Sequence, residues 1–81
     1  MITKEQELLA ALLGKMEELR VRYKLISFQK IKMMEAGEDT AILDRIQEGE
    51  SFIYAEIKTF LKKRALLMGL PEDYLYDHAI L

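Results

Sequence analysis

From Leu9 onward, large apolar residues recur at alternating spacings of three and four: Leu9, Leu12, Met16, Leu19, Tyr23, Ile26 and, past a polar break at Lys30, Met33. That period matches a helical turn, whereas a strand would need alternation at every second position. No proline interrupts the run before Ala36-Gly37. The feature therefore dictates one long helix over about residues 4–36, with a seam that Leu8, Leu13, Ile31 and Met34 widen. Thr3 and Gln6 have capping-box spacing, and Glu5 and Glu7 suit the positive end of the helix dipole. Gly37 fits the left-handed conformation that closes a helix.

Glu38-Asp39-Thr40 supplies turn and capping chemistry, which starts a second helix over about residues 40–68. Its expected facing stripe is Ile42, Ile46, Ile53, Ile57, Phe60 and Leu67, broadened by Leu43, Tyr54, Leu61, Ala65 and Met68. Gly49 interrupts this helix, with a kink or a restart at Ser51 as the local consequences. A connection this short favours antiparallel neighbours. Gly69-Leu70-Pro71 then reads as a stop and restart, and a short helix over about residues 71–79 follows, docked by Tyr74, Leu75, His78 and Ile80. At 81 residues the chain is sized for one domain. The expected fold is all-α: a long antiparallel helical hairpin plus a short C-terminal helix.

Val21, Leu25 and Phe28 fall well away from the main seam when the first helix is projected at about 100° per residue. Two paired helices cover one stripe each, so this patch requires the tail, another subunit or a partner. Burying a large apolar side chain contributes roughly 1.5 to 3 kcal/mol, a large fraction of a small domain's stability. A homodimer completing a four-helix bundle is the leading solution. The acidic Glu35-to-Glu50 segment and the basic stretches elsewhere would orient two copies head to tail.

The sequence has no cysteine, which removes disulfides, thiolate catalysis and Cys-based metal centres. His78 is the sole histidine and lacks the i, i+4 partner of a zinc or di-iron motif, while Ser27 and Ser51 have no histidine nearby in sequence. Glu35, Glu38, Asp39, Asp44, Glu48 and Glu50 lack the order of an EF-hand loop, and the four glycines are isolated rather than gathered in a phosphate loop. No metal, cofactor or enzymatic activity is expected. The net charge of −2 gives no global attraction to nucleic acid or an anionic membrane. Charges interrupt every apolar run before the ~18 residues of a membrane span, and the N-terminus lacks a secretory signal's basic-then-apolar order. No membrane partner is expected, and the cytoplasm is the expected location.

The expected function is therefore a non-enzymatic protein–protein interaction module: an adaptor, small chaperone or regulatory inhibitor. It would bind through Val21, Leu25 and Phe28, with Tyr54, Tyr74 and Leu75 as secondary contacts. A nucleic-acid-binding regulator is the less favoured alternative, with Arg20, Arg22, Lys24, Lys58, Lys62 and Lys63 as phosphate contacts on a basic band and Arg64 beside them. An accessory subunit of an enzyme is the third. In size and hairpin plan the chain is similar to small secretion or flagellar export chaperones, without a shared motif.

Overall fold

The computed structural model describes residues 3–75. Two helices, α1 (Lys4–Glu35) and α2 (Ala41–Leu67), pack against each other as an antiparallel hairpin. The start of α1 is the expected capping box: Thr3 Oγ1 accepts from the Gln6 N–H at 3.1 Å, and Gln6 Oε1 accepts from the Thr3 N–H at 3.0 Å. Its end closes on Gly37, whose φ of 75° is open to glycine at no steric cost. The Glu38 N–H returns to the Met33 carbonyl and the Gly37 N–H to that of Met34, so two otherwise orphaned oxygens are satisfied as the chain reverses.

Thr40 occupies the N-cap of α2, but its side chain makes no capping bond. Asp39 does that work instead, with Oδ1 accepting from the Ala41 N–H at 3.0 Å. The helix continues through Gly49 without a break. The restart at Ser51 does not occur, because one glycine inside a helix costs only about 1 kcal/mol relative to alanine and good helix formers surround it. Closure after α2 repeats that of α1: Gly69 has φ 74°, and the Leu70 N–H reaches the Ala65 carbonyl.

The core consists of Met16 and Leu19 from α1, Ile57, Leu61 and Ala65 from α2, and Leu75, with Leu9, Leu12, Leu13, Tyr54 and Leu70 packed against it. Of the α1 seam that the spacing predicts, Leu9, Leu12, Met16, Leu19, Ile26 and Met33 are buried or half-buried, with Leu13 beside them, whereas Tyr23, Leu8, Ile31 and Met34 are exposed. The α2 seam is not the predicted one. Leu43, Gln47, Glu50, Tyr54, Ile57, Leu61 and Ala65 are its buried or half-buried row, whereas Ile42, Ile46, Ile53, Phe60 and Leu67 are exposed, reaching 76% at Ile42 and 79% at Leu67. The helix is turned by about one residue, roughly 100°, from the orientation that apolar content alone selects. Gln47 explains how a polar residue holds that row: its amide nitrogen donates to Ser27 Oγ at 2.8 Å and to the Tyr23 carbonyl at 3.1 Å, while Lys30 Nζ donates to its oxygen at 2.9 Å. A buried amide with its bonds made costs little; an unpaired one would be expelled.

Beyond Pro71 the chain turns and regains helical backbone at Tyr74 and Leu75. Leu75 is buried against its own hairpin. The rest of the expected third helix, with His78 and Ile80, lies outside the described residues. The radius of gyration, 16.1 Å, exceeds the roughly 12 Å of a compact domain of this length. Its accessible surface is 6275 Å², about 1,200 Å² above the roughly 5,000 Å² expected for a compact monomer of its mass.

Candidate functional site

Contacts across the hairpin determine which helix positions share a flank. Arg22 Nη2 meets Glu50 Oε1 at 2.6 Å, and Arg64 pairs with Glu5 across the open end. Steps of seven from Glu5 lead along α1 to Leu12, Leu19, Ile26 and Met33. On α2, Ile46, Ile53, Phe60 and Leu67 each lie three residues beyond a member of the row Leu43, Glu50, Ile57 and Arg64. Helical geometry therefore places both sets on this flank. The α1 members are buried or half-buried and the α2 members exposed. An apolar strip thus runs beside the seam for most of the hairpin, crossed by the two ion pairs.

The other flank differs in chemistry. Near the open end Leu75 lies in a shallow groove with Leu9, Leu13 and Gly14 of α1. Toward the middle, Leu19, Tyr23, Ser51 and Tyr54 line a cavity of about 290 Å³, with Arg20, Lys24 and Glu50 at its edge. Glu50 retains only 14% side-chain exposure and gives one oxygen to Arg22, while its Oε2 and Arg20 Nε are buried without a protein partner among the described residues. Among the described residues, no hydrogen bond joins Ser51 to a base there. Among the described residues, no cluster of three His, Asp or Glu side chains could hold a metal ion, and no helix is long and apolar enough to cross a membrane.

The residues named from sequence fall in several places. Val21, Leu25 and Phe28 lie together on the back of α1, opposite α2, at 48%, 64% and 61% exposure. The described part of the tail does not cover them. Tyr54 is half-buried against the core, and Tyr74 is exposed. Leu75 is a core residue of its own chain, which corrects its assignment as a partner contact: an intramolecular groove already receives it.

The basic stretches do not meet at one height. Arg22 faces Glu50, so Lys58 to Arg64 lie about 12 to 21 Å farther along α2, at ~1.5 Å per residue. Arg20 pairs with Glu17 at 3.4 Å, and Arg22 and Arg64 pair across the hairpin. The continuous band therefore does not assemble. Lys30 is engaged too, and its hydrogen bond holds the Asp44 carboxyl below its ordinary pKa despite an opposing desolvation effect.

Sequence reasoning passed over Gln47 and placed Glu50 only in the acidic segment, not in the row facing α1. The signal was their place in the seven-residue steps that contain Leu43, Tyr54, Ile57 and Leu61. No protein-family model, curated protein or solved structure matches the chain.

Proposed function

We propose that this chain is a non-enzymatic protein-interaction module whose main working surface is the strip of Ile46, Ile53, Phe60 and Leu67 beside the hairpin seam, and that a second copy is its first partner. Two hairpins packed on these flanks form a four-helix bundle. The observation carrying this reading is the strip itself, four large apolar residues at seven-residue steps, left exposed by a helix that buries Gln47 instead. Charge selects an antiparallel arrangement, because the acidic tip at Glu35, Glu38 and Asp39 then approaches the Lys62 and Lys63 end of the other copy. An adaptor, chaperone or inhibitor would use the same strip for an amphipathic helix of another protein.

Sedimentation equilibrium across a wide concentration range tests the reading. The wild type is expected to self-associate, and Ile53→Asp with Phe60→Asp is expected to be a monomer with its helical circular dichroism retained. A wild type that stays monomeric at the highest concentration, or a double variant that associates equally well, overturns the pairing.

A further inference from the structure

The back of α1 differs from the strip in position and in charge, and it is independent of the pairing above. Residues 19–34 contain Arg20, Arg22, Lys24, Lys30 and Lys32 and no Asp or Glu. The net charge of −2 conceals this segregation. Within the segment, Val21, Leu25 and Phe28 form a short exposed row facing away from α2, and Ile31 is exposed beside it. Arg20, Arg22 and Lys30 are paired with Glu17, Glu50 and Asp44, so the cations left to this face are Lys24, beside the row, and Lys32, one turn beyond Phe28. The Lys32 ammonium lies 4.8 Å from the centre of the Phe28 ring. Lys24 forms no ion pair among the described residues. Glu17 and Glu18 bound the patch on one side and Glu35 on the other.

We infer that this face, from Val21 to Lys32, is a docking surface for an anionic lipid bilayer. Charge complementarity chooses the occupant. Apolar side chains between basic ones on one helix face suit the headgroup boundary, where the rings and aliphatic chains enter the acyl layer and the ammonium groups stay among phosphates. A nucleic acid would use the cations but give Val21 and Leu25 nothing to bury against. A basic patch is drawn to anionic lipid locally, whatever the sign of the whole chain, since the surface potential decays within about a Debye length.

Flotation of the full chain with phosphatidylcholine vesicles, and with vesicles of phosphatidylcholine and phosphatidylglycerol in equal parts, tests this. Binding is expected to the anionic vesicles alone and to fall as salt rises. Lys24→Gln with Lys32→Gln is expected to weaken it roughly 25-fold, at about fivefold per charge. Leu25→Ser with Phe28→Ser is expected to weaken it at unchanged charge. Failure of the wild type to float with anionic vesicles at low salt overturns the inference. So does binding that the Leu25 and Phe28 changes leave intact, since that marks adhesion to any polyanion, as would tighter retention on duplex DNA than on the vesicles. Because the strip on α2 is untouched by these changes, loss of lipid binding with self-association intact separates this outcome from the fate of the pairing.

Discussion

Gln47 of α2 donates a hydrogen bond from its side-chain nitrogen to the main-chain carbonyl oxygen of Tyr23 on α1, 3.1 Å away. The same amide bonds Ser27 and accepts from Lys30, so one buried side chain fixes the height and rotation at which the helices meet. Gln47→Ala is expected to destabilise the chain by about 2 kcal/mol, within the range for partners left unsatisfied in a buried setting. Urea denaturation followed by circular dichroism checks it. A change below about 0.5 kcal/mol, the scale of surface substitutions, would mean that the amide does not hold the register.

The orientation of α2 can be tested by a contrast. Leu61 is fully buried and Ile42 is largely exposed. Leu61→Ala should cost about 2 to 5 kcal/mol through lost burial and the cavity left behind, whereas Ile42→Ser should stay within about 0.5 kcal/mol. The reverse ranking in the same denaturation measurement would restore the apolar stripe that sequence alone selects.

Asp44 supplies a pH dependence with a defined sign. Its folded-state pKa is lowered, first by the hydrogen bond from Lys30 and further by that residue's charge and by Thr40. A depressed carboxyl stabilises the fold fully above its unfolded-chain pKa, and the contribution is lost as pH falls through the lower folded value. In a carboxyl carbon NMR titration, Asp44 should therefore titrate below the ordinary aspartate range. Lys30→Met should move its midpoint upward; an unmoved midpoint would remove Lys30 as the cause.

Gly49 lies inside α2, and a Cβ built there meets nothing within 4 Å. Gly49→Ala should stabilise the helix by about 1 kcal/mol, raising the thermal midpoint by several degrees for a chain this small. A lower midpoint would reveal a close approach from another molecule at that position.

Much of the fold was legible because its determinants are local. The Thr3 and Gln6 box, the glycine closures and most of the α1 seam each follow from residues a few positions apart, where steric freedom and side-chain reach decide the outcome. Rotation of α2 was not legible in the same way. Ile42, Ile46, Ile53, Phe60 and Leu67 outweigh Gln47 and Glu50 in any count of apolar content. Only the partner helix, with Ser27, Lys30 and Arg22 in reach, makes burial of the polar pair affordable. Of the surfaces, the Val21, Leu25 and Phe28 patch was readable as surplus apolar area on one helix. The strip on α2 was hidden because sequence had assigned its members to the core.

The reversal at Gly37 also orders the contacts by chain separation. Lys30 and Gln47 are 17 residues apart, Tyr23 and Gln47 are 24 apart, and Glu5 and Arg64 are 59 apart. Formed on its own, a rung farther from the bend closes a longer loop and costs more chain entropy, growing with the logarithm of the separation, whereas a rung added beside one already closed costs little. The hairpin should zip from its bend toward its two free ends. The rung formed last sits beside the groove that Leu75 fills, so fraying there would uncover both helix termini while the Gln47 clasp still held.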